Sequence, residues 1–124
     1  MFLRHNLFWI IWTVFILFLS LTPGNEVPRF NWKIVPFDVV VHLFVYAILC
    51  HSMLVGFNKQ TDFTFLKRNS MWVAILGSSL LGILLELLQI SVEGRFFDVK
   101  DIISNTLGVF LGVLAFKIIY RKIV

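Results

Sequence analysis

The sequence predicts an all-α integral membrane bundle of four transmembrane helices, with the N- and C-termini on the cytoplasmic side. Of the 124 residues, 59% are hydrophobic and 15% are charged, whereas soluble domains contain about 45–50% apolar and about 25% charged residues. The mean hydropathy is +0.90, and four apolar segments approach the roughly 20 residues that a helix needs to cross the hydrocarbon core. The alternating pattern of membrane β-strands does not recur, which argues against a barrel. The length leaves room for a single domain, residues 1–124.

The first two spans lie in the N-terminal half of the chain. The first covers about residues 7–22 and is followed by Pro23, and the second covers about residues 39–57 after Pro36. The first span also has features of a signal peptide, because Arg4 precedes its apolar stretch and small residues end it. Cleavage there would leave the orientation of the other three spans unchanged.

The last two spans each carry polar residues near one end. The third covers about residues 71–92, with Glu86 and Gln89 near its end. The fourth covers about residues 102–120, with Asn105 near its start. Both therefore place their polar residues beside the loop that joins them.

The basic residues predict the orientation of the bundle. Seven lie at the N-terminus, in the middle loop and at the C-terminal end: Arg4, Lys59, Lys67, Arg68, Lys117, Arg121 and Lys122. The first and third loops hold four: Arg29, Lys33, Arg95 and Lys100. Cytoplasmic loops are enriched in Lys and Arg, so the first and third loops are predicted to face outside. The chain has a net charge of +4, but its basic residues flank apolar spans and form no patch interleaved with aromatic residues. This distribution argues against nucleic acid as a partner.

Three spans place polar groups at a common depth beneath the outer surface. His42 lies near the start of the second span, Glu86 near the end of the third and Asn105 near the start of the fourth. At roughly 1.5 Å per residue, all three lie roughly 5 to 9 Å below the outer boundary. An ionisable group at the membrane centre costs about 2.5–3.5 kcal/mol, so each of these groups calls for a partner or a purpose.

Helical spacing aligns these groups with further polar side chains. Asp38, His42 and Tyr46 follow i, i+4, i+8, and Glu86 and Gln89 follow i, i+3, so each set lies on one face of its helix. The fourth span adds a similar set at i, i+3, i+7: Asp98, Asp101 and Asn105. Small residues extend two of these faces and let membrane helices pack closely inside the bundle. They are Ser78, Gly82, Gly108 and Gly112.

The loop between the last two spans contains Arg95. Its guanidinium suits a carboxylate or a phosphate, so Arg95 is either an internal counter-ion of Glu86 or Asp98, or a clamp for a lipid headgroup. Asp98 or Asp101 can also begin the fourth helix as an N-cap or first-turn acid, which requires no further function.

These residues also carry a resemblance to a known family. The motifs are Leu19–Gly24, Asp38, His42, Tyr46, Glu86–Gln89, Gly94, Arg95, Asp98, Asp101, Asn105–Gly108 and Gly112. With them, the chain resembles the VanZ-like family of small bacterial membrane proteins over almost its whole length. The part from Glu86 to Gly112 is specific, because polar residues and glycines recur together at fixed spacing. Val39 departs from the family, whose members often have lysine after the aspartate.

The resemblance implies a four-helix, multi-pass protein of the bacterial cytoplasmic membrane and cell envelope. The family's named relative is associated with resistance to teicoplanin, a lipid-tailed glycopeptide that acts on cell-wall precursors at the outer membrane surface. Membership implies the fold more strongly than it implies a reaction.

One functional hypothesis is a pocket that binds or alters an outer-leaflet lipid, a lipid-linked cell-wall glycan or a lipoglycopeptide antibiotic. The motivation is that carboxylate, imidazole, amide and guanidinium groups are predicted to converge where a headgroup would lie. The candidate binding residues are Arg95, Gln89, Asp98, Asp101, Asn105 and Tyr46.

The alternatives are an enzyme and a structural protein. In an acid–base enzyme, His42 would be the general base, oriented by Asp38, and Glu86 would be the acid. In a metal-dependent version, a divalent cation would bind His42, Asp38, Glu86 and Asp98, while the single cysteine, Cys50, excludes a Cys-based zinc site. In a structural protein, the polar residues would only hold helices or a partner. The sequence leaves these alternatives, any cofactor and the oligomeric state open.

Overall fold

Five helices occupy the described part of the computed structural model, which comprises residues 2–22, 37–93 and 97–120. They are α1 (Phe2–Leu21), α2 (Phe37–Lys59), α3 (Thr64–Arg68), α4 (Ser70–Gln89) and α5 (Val99–Ile119). All except the short α3 are long and apolar enough to cross a membrane. These residues contain no strand. The prediction of an all-helical chain with four membrane-spanning helices is therefore confirmed.

The observed helix ends differ from the predicted spans. Helix α1 begins five residues earlier than predicted, at Phe2, whose backbone amide donates to the Asp62 carboxylate at 2.5 Å. Helix α4 ends at Gln89, three residues before the predicted end, because the amides that follow bond to carbonyls three residues back. Such i to i+3 bonds tighten the chain and end an α-helix.

The middle loop contains structure that hydropathy does not predict. The short helix α3 follows Gln60, a fully buried side chain that donates to the carbonyls of Phe57 and Phe63 and accepts from the Phe63 amide at 2.8 Å. A buried amide with three such partners fixes the turn between α2 and α3.

Helix α2 is the centre of the bundle. It packs against α1, α4 and α5, and most extensively against α5. The glycines of α5 permit that approach: a Cβ atom at Gly108 would lie 2.5 Å from the Leu43 carbonyl oxygen, and one at Gly112 would lie 2.5 Å from the Ala47 carbonyl oxygen. The predicted close packing of small residues thus occurs between the α5 glycines and the α2 backbone. Gly82 of α4 lies beside the side chains of Asn105 and Tyr46.

The buried apolar core lies mainly among α2, α4 and α5. Helix α1 contributes only Ile16 to the buried hydrophobic side chains of the described residues, and its Trp12 indole donates to the Val45 carbonyl of α2 at 2.9 Å. Large apolar side chains on the outer faces of all four long helices are exposed. The bundle therefore presents a hydrocarbon-compatible surface outside and packs its polar groups inside.

Candidate functional site

Helices α2, α4 and α5 bring three ionisable side chains together at one end of the bundle. A ring nitrogen of His42 and one carboxylate oxygen each from Glu86 and Asp101 all lie within 4.8 Å of one another. His42 is in the second turn of α2, Glu86 in the last turn of α4 and Asp101 in the first turn of α5. We call these three side chains the polar cluster, and the end of the bundle that holds them the polar end.

Asn105 orients the His42 ring. His42 Nδ1 lies 2.6 Å from Asn105 Oδ1. Because an amide oxygen only accepts hydrogen bonds, Nδ1 must be the protonated nitrogen that donates. In the neutral ring this leaves the lone pair on Nε2, which lies 3.6 Å from Asp101 Oδ1.

Glu86 is the buried member of the polar cluster. The residue is 2% exposed, whereas the side chains of His42 and Asp101 are 24% and 21% exposed. The Asp98 backbone amide lies 3.4 Å from Glu86 Oε2, at the long end of hydrogen-bond range. The cluster thus has a closed inner side at Glu86 and an open side at His42 and Asp101.

Asp98 caps helix α5, and its carboxylate is not part of the polar cluster. Its Oδ1 accepts from the Lys100 backbone amide at 2.8 Å, the bond expected of an N-cap aspartate, and the residue is exposed. Of the two acids, Asp101 is the one that faces His42. Among the described residues, the group that could hold a cation therefore contains Asp101 and not the predicted Asp98.

Gln89 connects α4 to α1. Its side-chain amide donates to the Ser20 carbonyl of α1 at 3.0 Å, and the residue is buried. Tyr46 is also buried, one turn further along α2 than His42, where its ring borders Gly82. Tyr46 thus packs beneath the cluster.

The side chains of two predicted site residues fall outside the part of the chain that the structure describes. Arg95 lies outside the described residues altogether. Asp38 belongs to the first turn of α2, but its side chain is outside the described atoms. Their predicted roles, as clamp or counter-ion and as orienting acid, stay predictions.

The fold and the polar cluster define a multi-pass helical membrane protein with ionisable groups gathered at one end of its bundle. The model of the VanZ/LLP1 family matches residues 6–120. This chain therefore belongs to the VanZ/LLP1 family, as the motifs predicted. The match includes all three polar-cluster residues and Asn105. No curated protein and no solved structure matches the chain.

Proposed function

We propose that this chain is a multi-pass protein of the bacterial cytoplasmic membrane that binds a glycan-bearing amphiphile of the outer leaflet through the polar cluster. The amphiphile is a lipid-linked cell-wall glycan or a lipoglycopeptide antibiotic of the teicoplanin type. The observation that carries the proposal is the open-sided cluster of one imidazole and two carboxylates at the end of an otherwise apolar bundle.

The distribution of charge supports an outward-facing polar end. The opposite end carries basic residues on described segments: Lys59, Lys67, Arg68 and Lys117. At the polar end, acidic residues predominate: Glu86, Glu93, Asp98 and Asp101. Since Lys and Arg favour the cytoplasmic side, this asymmetry favours cytoplasmic termini and a polar end that meets the outer leaflet.

The chemistry of the cluster favours hydroxyl groups over a bare phosphate. Carboxylate oxygens accept hydrogen bonds from sugar hydroxyls and amines, but they repel a phosphate that lacks a cation. Next to the cluster, large apolar side chains are exposed on α4 and α5. They include Leu87, Leu88, Val99 and Ile103. A lipid whose headgroup lies at the cluster would therefore place its acyl chain beside an apolar helix surface.

A purely structural role accounts for part of the site but not for the cluster. The Gln89 bond to α1 and the Asn105 bond to His42 hold helices together, as polar residues in membrane bundles do. Two ionised carboxylates this close repel each other, so the pairing of Glu86 with Asp101 requires a shared proton or a cation. The opening of the cluster on the His42 and Asp101 side favours a ligand.

An acid–base enzyme acting on the same headgroup is the second candidate. The observation that favours it is the 2.6 Å contact between His42 Nδ1 and Asn105 Oδ1, because a proton held on Nδ1 leaves the Nε2 lone pair available at the open side of the cluster. An imidazole in that state is a competent general base, with Glu86 as the nearby carboxyl group.

Binding to purified protein in nanodiscs tests the proposal. The probes are teicoplanin and a polyprenyl-pyrophosphate-linked disaccharide. We expect the wild type to bind at least one probe and Glu86→Gln to weaken that binding about tenfold, or about 1.4 kcal/mol. Glu93→Gln removes an exposed carboxylate close to the cluster in sequence and is the matched control, expected to change binding less than about twofold.

Two results would overturn the proposal: no binding of either probe by folded wild type, or an equal loss in the two variants. Mass spectrometry of the probe after incubation separates the binding protein from the enzyme. An unchanged probe supports binding alone, whereas a product lost in His42→Gln supports acid–base catalysis.

A further inference from the structure

We propose that His42, Glu86 and Asp101 bind a first-row divalent cation, Zn²⁺ or Mn²⁺. The site is the polar cluster, so the cation's role in headgroup binding rests on the function proposed above, whereas cation binding itself is measurable without any lipid. Within the described residues, the group of possible ligands has three members, one from each of three helices.

The hydrogen bond from His42 to Asn105 prepares the imidazole as a ligand. A histidine that binds a metal through one nitrogen commonly donates its other N–H to a carbonyl or carboxylate, which fixes the tautomer and the direction of the ring. Here Nδ1 donates to Asn105 Oδ1 at 2.6 Å, and Nε2 lies 3.6 Å from Asp101 Oδ1. Asn105 is therefore a positioning residue, and Nε2 is the ligand atom.

The distances among the three ligand atoms suit a cation between them. His42 Nε2 and Asp101 Oδ1 are 3.6 Å apart, which is too long for a direct hydrogen bond. Ligands about 2.0–2.2 Å from a tetrahedral cation lie about 3.3–3.6 Å from one another. The full set lies within 4.8 Å, so side-chain adjustments on the order of 1 Å close it around an ion.

Charge and donor type indicate the class of cation. Glu86 and Asp101 bring two carboxylates to a site that is nearly sealed from water on the Glu86 side, and a divalent cation offsets their repulsion. One imidazole with two carboxylates is a borderline donor set that suits Zn²⁺ or Mn²⁺, whereas Mg²⁺ and Ca²⁺ prefer oxygen ligands alone.

A cation with three protein ligands keeps a position for an external ligand. The less buried ligands, His42 and Asp101, mark the side on which that position opens. A bound cation also reverses the local charge and makes an oxygen of a phosphate or sugar a favourable ligand. In the proposed binding function, the cation therefore contacts an oxygen of the headgroup and connects it to the bundle.

Metal binding to the tag-free full-length chain in detergent tests the inference. After treatment with a chelator, the protein is dialysed against Zn²⁺, Mn²⁺, Mg²⁺ or Ca²⁺ and its metal content is measured. We expect one equivalent of Zn²⁺ or Mn²⁺ per chain. The affinity should fall at least about tenfold in Glu86→Gln and in Asp101→Asn.

Matched controls and a spectroscopic readout separate a built site from adventitious binding. His5→Gln and Glu93→Gln remove an imidazole and a carboxylate outside the cluster and should leave the affinity unchanged. Co²⁺ should give the visible spectrum of a four-coordinate site in the wild type. In Asn105→Ala that spectrum should shift and the affinity should fall about tenfold, because the ring loses its orienting bond.

The outcomes distinguish this inference from the proposed function. Folded wild type that binds no Zn²⁺ or Mn²⁺, or variants that bind as the wild type does, would overturn the cation site. Probe binding that persists in chelator, with no metal bound, would overturn the cation's role in headgroup binding and keep the proposed function. One equivalent of metal without binding of either probe would keep the cation site and overturn the proposed function.

Discussion

At the scale of the residue, the polar side chains divide into those that hold helices and those that form the cluster. Gln89 and Asn105 each bond to a neighbouring helix, whereas Glu86 and Asp101 bring two carboxyl groups together. The sequence predicted that His42, Glu86 and Asn105 share a depth, because helical rise alone sets depth. It did not separate Asp98 from Asp101, because capping depends on backbone geometry at the start of α5. The i, i+4 spacing of Asp101 and Asn105 is the signal that distinguishes them.

We therefore predict that Gln89 contributes to the stability of the bundle and not to ligand binding at the polar cluster. Gln89→Ala removes the bond to the Ser20 carbonyl, and interhelical hydrogen bonds in membranes contribute about 0.6–2 kcal/mol. We expect a loss of stability of that size in unfolding by SDS, with unchanged binding of metal and headgroup probes. Binding that falls as much as in Glu86→Gln would instead show that Gln89 belongs to the ligand site.

At the scale of the element, the four long helices followed from hydropathy, but their ends and packing partners did not. The length of an apolar run predicts a span, whereas local bonds such as those of the Phe2 amide and the turn after Gln89 fix where each helix ends. Small-residue spacing predicted close approach for two helices. The α5 glycines pack against α2, because the Leu43 and Ala47 carbonyls occupy the space that a side chain at these glycines would need.

The close contact of α5 with α2 predicts that alanine substitutions at different glycines destabilise the bundle to different degrees. A Cβ at Gly108 would lie 2.5 Å from a backbone oxygen that cannot move without moving α2. Overpacking of this kind costs about 1–3 kcal/mol, so we expect Gly108→Ala to destabilise the bundle by that amount in unfolding by SDS.

Gly77→Ala is the matched control in the same assay. Its Cβ would meet only the flexible end of the Met53 side chain, at 3.2 Å, and should cost less than about 1 kcal/mol. Equal losses at Gly108 and Gly77 would contradict the importance of the close contact between α5 and α2.

At the scale of the whole molecule, the bundle is chemically asymmetric. One end holds His42, Glu86 and Asp101 together with the exposed acids Glu93 and Asp98, and the other holds the basic loop around α3. The family match over residues 6–120 establishes the class of membrane protein. The outward orientation of the polar end stays a prediction from the basic residues, because a bundle without its bilayer has the same internal contacts in either orientation.

Photocrosslinking at the two ends of the bundle tests whether a glycan-bearing amphiphile binds at the polar end. Benzoylphenylalanine would replace Phe97, exposed beside the polar end, or Phe65, exposed at the opposite end. In intact bacteria supplied with teicoplanin, mass spectrometry of the chain would identify its adducts. We expect adducts of teicoplanin or of a glycan-bearing lipid at position 97 alone, and their loss in Glu86→Gln. Equal adducts at both positions, no such adduct at position 97, or adducts that Glu86→Gln leaves unchanged would contradict it.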